Sequence, residues 1–206
     1  MSSDGVSVWL QKQLKPLSRN LEKVPSEAFS WLSLLLSLSA GVCTYFAQAQ
    51  YYPAAALGAV LALTGRLLSD SMEEMLHTQI TQERLSNQLL TRVCARLSDL
   101  SMLLGFAFWD SLRIHLVMFA IVSTLLVSYV GELGRAQGAT DCGGGLLSKS
   151  NRIILLIFFC IIYLLKPNAR IADYSVFEVM FALFIPLSSL TLLQRMDAAL
   201  SQIRRK

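Results

Sequence analysis

Long apolar segments separated by short polar stretches dominate the chain from residue 25 onward. A hydrocarbon core of roughly 30 Å needs about 20 helical residues to cross it. Six segments approach this length: Phe29–Ala47, Pro53–Leu76, Leu85–Phe108, Leu112–Leu133, Ile153–Leu165 and Tyr174–Leu193. The fifth is short in its apolar part, but residues 146–152 can extend it. The pattern predicts an all-α integral membrane domain with six transmembrane helices in residues 25–206.

Residues 1–24 form a more polar leader ahead of the first apolar segment. Its apolar residues recur at helical spacing along one face, and its basic residues lie off that face. The apolar positions are Val6, Trp9, Leu10, Leu14, Leu17 and Leu21. We expect an amphipathic helix that lies in the membrane interface, with a kink or break at Pro16. A solvated tail is the alternative.

Composition and charge support this interpretation. The chain is 54% hydrophobic and 16% charged, whereas soluble domains carry about 25% charged residues. A dispersed net charge of +4 gives no reason to expect a nucleic-acid partner. Most of the 18 Lys and Arg residues fall on the side that holds both termini, whereas Arg113, Lys166 and Arg170 fall on the other. We therefore expect a multi-pass protein of a plasma (inner) membrane with both termini in the cytoplasm.

The stretch Ser69–Asp99, between the second and third apolar segments, concentrates charge in an otherwise apolar chain. Its first half places four ionisable residues on one side of a helix, at spacing i, i+3, i+4 and i+7. They are Asp70, Glu73, Glu74 and His77. Arg92, Arg96 and Asp99 follow, again at helical spacing. Two polar-faced helices at the mouth of a membrane bundle are a candidate active site; a solvated helix end, paired with bases such as Arg66, is the alternative.

Several short motifs accompany this stretch. They are LLSD at 67–70, ARLSDL at 95–100, SYV at 128–130, GLL-x-K-x-x-R-I-I-L-L from Gly145 and TLLQR at 191–195. With these motifs, the six-segment plan and Pro25 before the first segment, the chain resembles the CDP-alcohol phosphatidyltransferases. These are integral membrane enzymes of phospholipid synthesis. Their signature, D-x-x-D-G-x-x-A-R-x8-G-x3-D-x3-D, bridges the second and third of six membrane helices.

The signature begins at Asp70 when it is aligned without a gap, and its second Asp falls on Glu73. Its Gly, Ala, Arg and second Gly fall on Glu74, His77, Thr78 and Asn87. Its last two Asp fall on Thr91 and Ala95. The family's carboxylates hold divalent metal, and its last Asp is thought to take the alcohol proton. The resemblance therefore implies altered chemistry at these positions.

Site roles follow from the resemblance. Asp70, Glu73 and Thr91 are the implied metal ligands, for one Mg²⁺ or Mn²⁺ ion at most. Asp99 and His77 are the candidate catalytic proton acceptors in place of Ala95. Glu74 and Asn87 would lie on the nucleotide side, where Glu74 would repel a diphosphate, and Lys149 and Arg152 match basic positions that face an acceptor phosphate. For Lys149 and Arg152, ordinary cytoplasmic flanking charge is the alternative.

Three hypotheses of different classes remain, and only the first of them makes this chain an enzyme. The first is a divergent phosphatidyltransferase of phospholipid synthesis, which moves a phosphatidyl group from a CDP-linked lipid to an alcohol. The second is an inactive paralogue, or pseudoenzyme, that acts as a partner or lipid-binding regulator. The third is a small six-helix transporter. The expected partners are membrane lipid, CDP-diacylglycerol, an alcohol or alcohol phosphate, and a second chain in a homodimer or a heterodimer with an active relative.

Overall fold

The computed structural model describes residues 25–48, 52–79, 85–109, 112–139, 144–167, 169–171 and 173–204. These residues form six α-helices: α1 Ser26–Gln48, α2 Ala54–Gln79, α3 Leu85–Leu104, α4 Ile114–Ala136, α5 Lys149–Leu165 and α6 Val176–Ile203. A 3-10 turn at Gly105–Phe108 follows α3 directly. Strands β1 (Arg170–Ile171) and β2 (Tyr174–Ser175) pair antiparallel ahead of α6. The predicted leader helix at residues 1–24 lies outside the described residues.

Each predicted apolar segment corresponds to one of these helices, which confirms the all-α prediction for the described residues. Most bounds differ by a few residues. The two main differences are that the third segment finishes as a 3-10 turn and that α6 continues past Leu193 to Ile203. The sequence patterns did not predict the short hairpin before α6. A capping box explains where α6 begins, because the Ser175 hydroxyl accepts from the Glu178 backbone and the Glu178 carboxylate accepts from the Ser175 backbone.

Three of the helices are long and apolar enough to cross a membrane, among the residues described. They are α1 from Glu27, α4 and α6. Helices α2 and α3 carry the charged residues of the central stretch, and α5 has only 17 residues. Leu35 on α1, Phe119 on α4 and Leu193 on α6 are each more than half exposed. Apolar surface of this extent is typical of a protein that faces lipid.

Helix α1 approaches the end of α3 closely at two glycines. A Cβ atom on Gly41 would overlap the backbone oxygen of Ser101, and one on Gly105 would overlap the backbone oxygen of Gly41. Beyond this contact, Trp109 donates its indole N–H to the Thr44 backbone oxygen at 2.9 Å. Glycine is therefore required here by contact between backbones and not by an unusual backbone angle.

We predict that Gly41→Ala destabilises the bundle by about 1–3 kcal/mol, because the new methyl group meets backbone that cannot rotate away. Gly65→Ala is the matched control, since its Cβ would lie 3.3 Å from a methyl carbon of the flexible Leu36 side chain. Thermal unfolding of both variants in detergent measures the difference. An equal effect of the two substitutions would contradict the close-contact argument.

Candidate functional site

Charged side chains from three helices meet inside one end of the bundle. Helix α2 supplies Arg66, Asp70 and Glu73, α3 supplies Asp99, and α5 supplies Lys149 and Arg152. We call these six residues the polar cluster. Spacings of three or four residues place each helix's contribution on one side of that helix. All but Lys149 are buried or nearly so.

Asp99 is the centre of the polar cluster. Its side chain is 1% exposed, and Arg66 Nη2 donates to its Oδ1 at 2.5 Å. Arg152 Nη2 donates to its Oδ2 at 3.1 Å, and Arg96 Nη1 lies 3.6 Å from the same oxygen. The carboxylate thus joins α3 to α2 and α5, and guanidinium groups contact both of its oxygens.

Arg66 extends the network from Asp99 to Asp70. It is fully buried, and its Nη1 donates to the Ser98 backbone oxygen at 3.2 Å. Its Nε lies 3.6 Å from Asp70 Oδ2. Neither of these two atoms makes a hydrogen bond among the described residues, so this contact is an ion pair without a hydrogen bond.

Asp70 and Glu73 are held by serines of α1. Asp70 Oδ1 accepts from Ser33 Oγ at 2.7 Å and lies 2.9 Å from Lys149 Nζ. Glu73 Oε1 accepts from Ser30 Oγ at 2.5 Å, and Ser30 Oγ lies 3.1 Å from Thr91 Oγ1. Sequence reasoning missed these serines. The available signal was the buried polar stripe of serines at positions 30, 33 and 37 in an otherwise apolar helix.

The structure brings together several of the residues singled out from the sequence. Ser30 joins Glu73 to Thr91, and Ser33, one helical turn further along α1, binds Asp70. Each of Lys149 and Arg152 contacts an aspartate. The remaining candidates contribute less: Glu74 is exposed, Asn87 is half-buried, and the side chain of His77 lies outside the described part of the structure. Their catalytic and binding roles stay predictions.

The side chains at this site do not provide enough ligands for a pair of divalent metal ions. Mg²⁺ prefers oxygen ligands in octahedral geometry, and a two-ion site needs several convergent carboxylates. Among the described residues, no group of three or more His, Cys, Asp or Glu side chains is arranged to hold a metal. Asp70 Oδ1 is already engaged by an ammonium and a hydroxyl, and Ala95 offers only a methyl group.

The bundle has the fold of a CDP-alcohol phosphatidyltransferase, as the sequence motifs predicted. Among the solved structures that it resembles are three of Mycobacterium tuberculosis phosphatidylinositol phosphate synthase. Sequence identity is low, so the likeness establishes the fold alone. No protein-family model and no curated protein matches the chain.

Three of these structures differ in what they contain. The form with CDP-DAG bound has a TM-score of 0.64 at 17% identity, covering 89% of this chain and 92% of that chain. The complex with manganese and citrate has a TM-score of 0.64 at 18% identity, covering 89% and 87%. The apo form has a TM-score of 0.67 at 16% identity, covering 89% and 94%. The two proteins therefore share the fold over most of their length.

We predict that Asp99→Asn destabilises the protein by about 3 kcal/mol or more, because it removes the carboxylate that pairs with the buried Arg152 and the shorter of the two ion pairs of the buried Arg66. Glu132→Gln is the matched control. Glu132 also bridges two arginines, Arg92 at 2.8 Å and Arg135 at 3.1 Å, but at a partly exposed position. Its loss should cost about 1 kcal/mol or less.

Denaturant-induced unfolding in detergent micelles measures both effects. If Asp99→Asn unfolds at the same denaturant concentration as Glu132→Gln, the buried bridge does not hold the three helices together.

Proposed function

We propose that this chain is a membrane protein of phospholipid synthesis that binds a phosphate-bearing lipid or acceptor but has lost metal-dependent phosphatidyl transfer. It would then act as a partner or lipid-binding regulator of an active enzyme. One observation carries the proposal: Asp70, the first motif acid, is paired with Lys149 and Ser33 within the protein. The positions of the last two motif acids are Thr91 and Ala95.

Loss of transfer follows from what the reaction requires. Phosphoryl transfer depends on cations that neutralise the charge developing on the phosphate oxygens. The third helix of the fold offers a hydroxyl at Thr91 and a methyl at Ala95 where the motif has acids. Loss of general-base assistance alone typically lowers a rate by about 10²–10⁴-fold. Asp99 is a poor replacement base because guanidinium groups contact both of its oxygens.

Retained phosphate binding is supported by donors at the start of α5. Arg152 is 3% exposed, and within the described residues its Nε and Nη1 make no hydrogen bond. The same is true of the buried Ser148 hydroxyl. Buried donors without acceptors are costly and rare, and a phosphate oxygen would satisfy them. Lys149 adds a further positive charge beside them.

The proposal also covers how the chain lies in the membrane and what it binds there. We infer that all six helices cross the membrane, with the charged residues of α2, α3 and α5 inside the bundle, and that both termini are cytoplasmic. The leader would lie in the interface. CDP-diacylglycerol is the proposed lipid ligand, since a structure of the mycobacterial synthase has CDP-DAG bound. A homodimer, or a heterodimer with an active relative, is the proposed assembly.

We predict that the purified protein releases no CMP from CDP-diacylglycerol above the level of an Asp70→Asn variant. The assay should contain Mg²⁺ or Mn²⁺ and be repeated with several alcohols and alcohol phosphates. The mycobacterial synthase with its own acceptor serves as the positive control.

CMP release that depends on Asp70 would favour a second candidate function, phosphatidyl transfer assisted by one ion. The observation that favours it is that Ser30 and Ser33, one turn apart on α1, bind the two retained acids: Ser33 binds Asp70, and Ser30 binds Glu73 and contacts Thr91. In that case Lys149 would have to leave Asp70 when the ion binds.

We predict that the protein binds glycerol 3-phosphate but not glycerol, because the buried donors require an anion. Arg152→Gln should weaken this binding about tenfold or more, as expected for loss of a charge-assisted hydrogen bond. Arg92→Gln removes an arginine that is nearly half exposed and should leave binding unchanged. Isothermal titration calorimetry measures all three proteins, and equal affinity for glycerol and its phosphate would contradict the assignment.

A further inference from the structure

We infer that Lys149 is a tethered counter-ion that takes the place of a divalent cation beside Asp70. The protein would thus carry its own cation on α5, and removal of that charge would convert the acids into a binding site for one divalent ion. This inference rests on the proposed function and deepens it, because it names the group that replaces the metal.

The geometry of Lys149 supports the inference. It lies in the first turn of α5, and its Nζ reaches across to Asp70 Oδ1 on α2 at 2.9 Å. Its side chain is 32% exposed, whereas that of Asp70 is 8% exposed. The ammonium therefore extends from the partly exposed rim of the bundle to a buried carboxylate. Arg66 Nε faces the other carboxylate oxygen at 3.6 Å, so cations lie against both oxygens.

The excess of basic side chains around Asp70 and Asp99 also disfavours the binding of a divalent ion. Asp70 and Asp99 together contact four basic side chains, those of Arg66, Arg96, Lys149 and Arg152. An added dication beside Asp70 would meet the Lys149 ammonium at close range, where water screens charge poorly. Of the four cations, Lys149 is the one that contacts Asp70 and not Asp99.

Removal of the ammonium would leave a set of hard oxygen donors. The Asp70 carboxylate lies next to the Ser33 hydroxyl, and the Glu73 carboxylate, one helical turn away on α2, lies next to the Ser30 hydroxyl, which contacts Thr91. Mg²⁺ and Mn²⁺ accept one or two carboxylates, with water completing the coordination shell. The donors suit a single ion, and the charge of Lys149 is the obstacle that a substitution can test directly.

The test is a titration of the full chain in detergent with Mn²⁺ alone. The electron paramagnetic resonance signal of free Mn²⁺ measures how much of the ion is bound. We expect no saturable binding by the unaltered protein. Lys149→Met should bind one Mn²⁺ per chain saturably, because a like charge no longer repels the ion. The double variant Lys149→Met, Asp70→Asn should lose this binding. Lys166→Met, which removes an exposed lysine just after α5, is the matched control and should behave as the unaltered protein.

Lys149→Gln provides a second variant if the methionine variant does not fold, and thermal unfolding verifies that each protein is intact. Saturable Mn²⁺ binding by the unaltered chain that Asp70→Asn abolishes would overturn the inference. So would the absence of binding by both folded Lys149 variants, since the missing acids alone would then exclude the ion. CMP release without added metal would overturn the proposed function and leave the Mn²⁺ result standing.

Discussion

The carboxylate of Asp99, bound by Arg66 and Arg152, fixes how three helices lie against one another. Transfer of these charges out of water is costly, and it is compensated only if both guanidiniums reach the two oxygens together. They do so at 2.5 and 3.1 Å, which sets the register of α2 and α5 against α3. The contact between Asp70 and Lys149 follows from that register, since each lies about one helical turn from one of the two arginines.

Internal pairing also explains how charged helices fit a bundle that faces lipid. Ionisable groups inside a membrane protein are expensive unless they are paired or face a polar interior. Asp70 and Asp99 contact basic residues on other helices, and they turn away from the exposed apolar faces of α1, α4 and α6. The bundle thus keeps these charged residues inside. Apolar side chains on α2, α3 and α5, among them Leu61, Leu89 and Phe158, are exposed as well, so all six helices contribute to the apolar outer surface.

The sequence predicted the six helices because apolar segment length and periodicity reflect local geometry. It also predicted that Asp70 and Glu73 share a face, which is a matter of spacing within one helix. Partners between helices were harder to predict. Arg66 entered the sequence analysis only in the alternative interpretation, as a base that pairs with a solvated helix end, but it is buried and its shorter contact is with Asp99 on α3. Ser30 and Ser33 lay outside every motif, and their importance depends on the packing of α1 against α2.

The pairing of Asp70 and Asp99 with basic side chains affects activity as well as stability. An active site usually keeps charges that are incompletely paired until substrate or metal arrives, at some expense in stability. In this chain Asp70 and Asp99 already have cationic partners, so little electrostatic driving force is left for an incoming metal ion. Arg152 is different, because it pairs with Asp99 through Nη2 and still has buried donors at Nε and Nη1. The binding capacity that we propose for the polar cluster is therefore for an anion, and it does not require carboxylates at Thr91 and Ala95.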